Sequence, residues 1–409
     1  MFKQLQRMIG RAGFLAFVTV AAGAAVAYAA IPDSGTGLYH ACRVTSTGAI
    51  RMIDPSLGAS NKLGHCVTGE VQITWNQKGP SGPSGPPGSP PLPNLKQVAT
   101  LQWWGAKFSG GSYGFNEPSG VAFDGRHIWV TNAGADSVTE LNANDGSWVR
   151  TLSGGSYGFN TPVGVAFDGS HIWVANQVGG SVTELNASNG AWVQTLSGGS
   201  YGFNNPRAVA FDGSHIWVTN APGNSVTELN ASNGSWVQTL SDPSFSSYSF
   251  NGPDALAFDG THIWVANEGN SVTELNATDG SWVQTLSGGS YGFNQPFGVA
   301  FDGSHIWVTN NLGNSVTELN ANNGAWVQTL SGGSYGFNGP FAVAFDGSHV
   351  WVANEFGPPY TVTELNANDG SWVRTLPAYG TNTFGLAFDG SHIWVTNNGS
   401  NSVTELPAG

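Results

Sequence analysis

Charge is scarce in this chain: only 10% of its residues are Asp, Glu, Lys or Arg, and basic residues number 13 against 26 acidic ones, a formal net charge of −13. From Lys96 to the C-terminus 6 basic residues face 23 acidic ones. No basic stripe exists to meet a phosphate backbone or an anionic lipid surface, which excludes nucleic acid as a partner. Cysteine is almost absent, with two residues, Cys42 and Cys66. No Walker-type loop, HExxH pair or nucleophile elbow occurs. Long apolar runs are confined to the first thirty residues. Beyond them nothing is long enough to span a bilayer, and no segment has a helical apolar period.

Glycine and tryptophan are abundant instead, with 58 Gly and 16 Trp. That composition suits many short strands joined by tight turns. The N-terminus carries Lys3, Arg7 and Arg11, an apolar run from Phe14 to Val26, and Ala27-Tyr28-Ala29, a small-x-small cleavage pattern. Residues 1–29 are therefore read as a signal peptide and the protein as secreted or surface-associated. The alternative is a retained anchor, because apolar character continues to Ile31.

Residues 30–78 form a small segment holding both cysteines. In an exported chain an even cysteine count predicts a Cys42–Cys66 disulfide. Residues 79–95 contain four collagen-like triplets, Gly79-Pro80-Ser81 to Gly88-Ser89-Pro90. Four triplets are too few for an unaided triple helix, so they read as a stiff spacer, with trimerisation the alternative.

Residues 96–409 repeat one unit, GGSYGFNxPxGVAFDGSHIWVTNxxGNSVTELNAxxGSWVQTLS. Its FDG aspartates fall at Asp124, Asp168, Asp212, Asp259, Asp302, Asp346 and Asp389, spaced 44, 44, 47, 43, 44 and 43 residues apart. This is a propeller-blade period. Each unit holds four strand-like runs separated by Asp-Gly and Asn-x-x-Gly turn signals. The seventh unit ends at Ser402–Leu406 without its fourth strand. Gln97-Val98-Ala99-Thr100-Leu101 resembles the missing one. The expectation is an all-β, seven-bladed β-propeller closed by an N-terminal strand that completes the last blade.

On these strand motifs, GVAFDGSHIWVTN followed by NSVTELNA, the chain resembles the NHL and YVTN repeat proteins and the virginiamycin B lyase-like propellers. The opening, with IPDSGTG and WNQKGP running into GPSGPSGPPG, resembles a short exported bacterial module that precedes collagen-like stretches. For the lyase group the resemblance implies a metal ion with histidine and glutamate on one face of the channel. No residue here carries that role over, because His127, His171, His215, His262, His305, His349 and His392 all occupy one repeated place after the Asp-Gly turn. They read as structural, as do the repeated aspartates and Trp pairs.

Departures from the repeat mark the candidate site. The position entering the innermost strand reads Ser119, Val163, Arg207, Asp254, Phe297, Phe341 and Phe384 around the ring. The link from the second to the third strand supplies Glu268, Glu355 and Tyr360. The expected function is an extracellular module binding a small amphipathic molecule, glycan or peptide through Arg207, Asp254, Glu268, Phe297, Phe341, Phe384, Glu355 and Tyr360. No catalytic residue, metal or cofactor is assigned. A metal-dependent lyase or hydrolase is the alternative.

Overall fold

The structure is a computed structural model and describes residues 38–45, 50–52, 65–76, 105–241 and 248–408. The segment read as a signal peptide, residues 79–95 and Gln97–Leu101 lie outside these. The chain divides into two compact units, Met1–Leu92 and Pro93–Gly409.

In the first unit, Leu38–Val44 is the middle strand of a three-stranded antiparallel sheet, flanked by Ile50–Met52 and Glu70–Asn76. Cys42 is fully buried and is bonded to Cys66, with Cα atoms 5.3 Å apart. The cross-link encloses a sequence separation of 24 residues. A loop of that size contributes about 3 kcal/mol in the chain-entropy treatment.

The second unit is seven four-stranded antiparallel sheets, one per repeat. In the third blade the strands are Pro206–Phe211, His215–Asn220, Ser225–Asn230 and Trp236–Ser241, from the channel outward. The two middle strands are buried along nearly their whole length. Such strands are covered on both faces by neighbouring blades, which is why HIWVTN and SVTELN do not alternate apolar with polar residues.

Seven apolar clusters fill the seven gaps between blades. Each is organised around one fully buried tryptophan, such as Trp173, which packs with Val182 and Leu196 against Val209, Ile216, Val218 and Leu229 of the next blade. Truncating a buried Trp of this kind costs about 3–5 kcal/mol.

Ring closure follows the expected scheme with a different strand. Ala106–Ser109, and not Gln97–Leu101, pairs with Ser402–Glu405. Trp104 to Ser109 leads directly into Gly110-Gly111-Ser112-Tyr113, just as Trp148 to Ser153 leads into Gly154-Gly155-Ser156-Tyr157. Continuity with the following turn therefore sets the register, and the likeness of VATL to VQTL does not. Phe108 stacks on Trp394 at 5.5 Å, joining the two chain ends through one apolar cluster.

Candidate functional site

The innermost strand of every blade carries an irregularity at its start. In the third blade Pro206 pairs with Asn220 and Val209 with Val218, so the inner strand holds one extra residue between them. A bulge of this kind releases backbone from the ladder and redirects side chains. Here it turns the position after the proline toward the channel. Neighbouring inner strands also come very close: a Cβ on Gly164 would collide with the Arg207 carbonyl, and one on Gly120 with that of Val163. Thr131 bridges this second approach, its hydroxyl accepting from the Gly120 amide at 2.8 Å and donating to the Val163 carbonyl at 2.8 Å. Thr309 repeats the bridge between Gly298 and Phe341.

Ser119, Val163, Arg207, Asp254, Phe297, Phe341 and Phe384 consequently converge on one cavity of about 450 Å³. Its walls fall into two chemical halves. Phe297 and Phe341 stack with centroids 4.8 Å apart, and Phe384 tilts against Phe341 at 4.7 Å, forming an arc of three half-buried rings. Beside the arc, one guanidinium nitrogen of Arg207, Nη1, donates to Asp254 and, at 2.8 Å, to Glu268.

Two carboxylates thus share one cation. Arg207 and Glu268 keep about 31% and 30% of their side-chain surface exposed, whereas Asp254 is nearly enclosed. Burial pushes the Asp254 carboxyl up to about 6, although Arg207 pulls the other way. Burial by itself would lower the Arg207 guanidinium, but Asp254 and Glu268 outweigh it and the pKa rises. Arg207 Nε is buried without a hydrogen-bond partner.

The remaining sequence-predicted residues lie elsewhere. Glu355 accepts a bond from Asn311 Nδ2 at 3.1 Å, and burial raises its pKa. Tyr360 packs on the core cluster around Trp351. Neither of them lines the cavity, and nor does Glu268: Glu355 reaches the neighbouring fifth blade and Tyr360 packs between the sixth and seventh. Gln177 does line it, from the corresponding link of the second blade.

The seven histidines begin the second strands, at the end of each blade away from the mouth. In the third blade Asp212 Oδ1 accepts the backbone amides of Ser214 and His215 at 2.8 and 2.6 Å, and Oδ2 accepts Trp217 Nε1 at 2.7 Å. His215 Nδ1 lies 3.4 Å from Asp212 and 3.5 Å from Glu228. Burial of Asp212 is outweighed by these donors, and its pKa is lowered. The aspartate therefore ties the turn to the interblade tryptophan, a structural task repeated in every blade. Among the described residues, two groups bring three metal-ligand atoms within 4.8 Å of one another, Cys42–Cys66–Glu70 and Asp389–His392–Glu405. The cysteines are committed to the disulfide, and Asp389 Oδ2 already accepts Trp394 Nε1 at 2.7 Å.

Seven four-stranded sheets around a channel define the chain as a seven-bladed β-propeller. No family model matches the sequence, and no curated protein does. Solved structures do match in fold. A catalytically inactive histidine-to-alanine variant of virginiamycin B lyase from Staphylococcus aureus, with quinupristin, aligns at TM-score 0.61 and 15% identity over 74% of this chain and 99% of that one. The selenomethionine-substituted lyase aligns at 0.60 and 14% over 74% and 99%. Hydrazine synthase from Kuenenia stuttgartiensis aligns at 0.60 and 17% over 72% and 96%. At these identities the likeness is one of architecture.

Proposed function

We propose that this protein is an extracellular binding module that takes a small amphipathic molecule or peptide segment at the channel mouth. One observation carries the reading. The positions entering the innermost strands, which break the sevenfold repeat, line a single cavity, with Phe297, Phe341 and Phe384 on one side and Arg207 and Asp254 on the other, and Glu268 shares the Arg207 cation from behind the wall. An apolar wall with a few convergent polar groups is the usual makeup of a ligand site. The acidic pair leaves the polar half with an excess negative charge when both carboxylates are ionised, which favours a ligand whose polar end is neutral or cationic. Residues 1–29 serve as the export signal in this reading, and residues 79–95 as a spacer.

A lyase reading draws on the fold shared with virginiamycin B lyase, for which a histidine-to-alanine variant is inactive. Against it, the residues lining the cavity include no histidine, and the propeller's histidines are held at the opposite strand ends.

The test is a thermal-shift screen of the full chain with neutral and cationic amphiphiles and short peptides, repeated on Phe341→Ala. A ligand that binds the native state raises the midpoint by mass action. The reading requires at least one compound whose shift disappears in the variant. Shifts that persist unchanged in Phe341→Ala place binding elsewhere.

A further inference from the structure

Among the described residues, six tryptophans stand on the outside of the propeller, far from the channel in strand order. Trp148, Trp192, Trp236, Trp282, Trp326 and Trp372 begin the outermost strands of blades one to six, each 46–48% exposed. Soluble proteins seldom leave large aromatics open in a repeated array without using them. The burial of the inner tryptophans explains the interblade cores, but these six contribute only part of their surface to packing.

Their presentation is uniform. Each indole Nε1 donates to the threonine three residues later, Trp192 to Thr195 and Trp236 to Thr239 at 3.0 Å, with the other four at 2.9–3.0 Å. The N–H is therefore spent inside the blade and the ring is held in one orientation. What remains for a partner is the apolar face, flanked in five of the blades by an exposed valine such as Val193 or Val237. Around the indole the repeat has drifted: the preceding residue is Ser147, Ala191, Ser235, Ser281, Ala325 or Ser371, and the second following residue is Gln in four blades and Arg in two. The ring is present in all six.

We infer that this belt is a multivalent binding surface for neutral polysaccharide, separate from the channel mouth. Three features select that occupant. A ring face with its N–H already satisfied recognises flat C–H surfaces, which pyranose rings offer. Six equivalent sites around a circumference require a partner that repeats the same unit. The excess of acidic over basic residues in the propeller opposes anionic polymers, leaving neutral ones. Linked weak sites of this type gain affinity of order 10² to 10⁴ over a single site.

The experiment is retention of the full chain on microcrystalline cellulose, chitin and cross-linked dextran, measured by depletion from solution. At least one polymer should retain the protein. Trp192→Ala alone should weaken retention by less than about tenfold, whereas the triple replacement of Trp192, Trp236 and Trp282 by Ala should weaken it about 100-fold, on the avidity scale above. The triple Trp→Phe variant, which keeps the rings, should retain most binding and covers the case in which the alanine protein misfolds. Phe341→Ala should bind polymer like the wild type, so the fate of the channel site is read separately. No wild-type retention on any of the three polymers overturns the proposal. So does retention that the triple alanine variant leaves unchanged.

Discussion

Glu405 lies opposite Ala106 in the strand ladder of the closing blade, whereas the equivalent glutamates of the other six blades lie opposite glutamine or arginine. Gln194, for example, donates to Glu184 at 2.6 Å. In the seventh blade the outermost strand comes from the other end of the chain and brings a methyl group to that place. Glu405 is left with His392, 3.2 Å away, inside a nearly closed site.

This pairing makes closure pH-sensitive. Burial lifts Glu405 from an ordinary 4.5 to about 7, against the pull of His392. His392 is itself raised, chiefly by its bond to Asp389. Both folded groups hold protons more tightly than the unfolded chain does, so their contribution is complete at low pH and is lost as pH rises through about 7. Ala106→Gln should restore the amide donor, lower the Glu405 pKa and add about 1–2 kcal/mol at pH 8, with no gain at pH 4. Urea titrations across pH 4–9 check this, and parallel profiles for variant and wild type would refute it.

Removal of residues 1–95 should leave the propeller folded, because its cores lie between blades. Extending the deletion through Ser109 removes the strand that pairs with Ser402–Glu405. That truncation should expose a sheet edge, lose cooperative unfolding and aggregate. Light scattering and denaturant unfolding distinguish the two. Equal behaviour of both truncations would mean that the closing strand is dispensable.

The two ends of the strands should separate stability from binding. His305 faces Asp302 and Glu318 at 3.3 and 3.5 Å, so His305→Ala should lower the melting temperature modestly and leave the affinity of a channel ligand unchanged. Phe341→Ala removes the central ring of the aromatic arc and should weaken that ligand by about 1–3 kcal/mol. Calorimetry on the two variants decides the matter. A binding loss at His305 with none at Phe341 would move the site to the opposite end and favour the lyase reading.

In the small N-terminal unit, thiol titration of unreduced protein should find no free sulfhydryl. Replacing Cys42 and Cys66 together by serine should destabilise that unit by about 3 kcal/mol while leaving propeller unfolding unaltered. Two free thiols in the native protein would contradict the bond.

Much of the architecture was legible in the residues themselves. The period of the FDG turns determines seven blades, and the unfinished last repeat announces closure by the N-terminus. Divergence at the position entering the innermost strand locates the channel mouth, since side chains at one repeated place must share one height in a ring. Strand direction likewise sends every histidine to the opposite end, because it follows the first turn of each blade.

Three things required the fold. The closing strand is Ala106–Ser109 because β-rich runs are locally alike and only the geometry of the following turn chooses between them. Glu355 and Tyr360 belong to the same link as Glu268 in the repeat, yet Glu268 joins the Arg207 cation at the mouth whereas Glu355 bonds Asn311 of the neighbouring blade and Tyr360 enters an interblade core, a matter of packing that residue type does not encode. The charge of the site is also tertiary: Arg207, Asp254 and Glu268 stand up to 61 residues apart in the chain, and only their meeting at the mouth turns one cation and two carboxylates into a shared pair with excess negative charge. Local pattern is set by neighbours in sequence, but burial and electrostatics depend on groups the chain brings together from a distance.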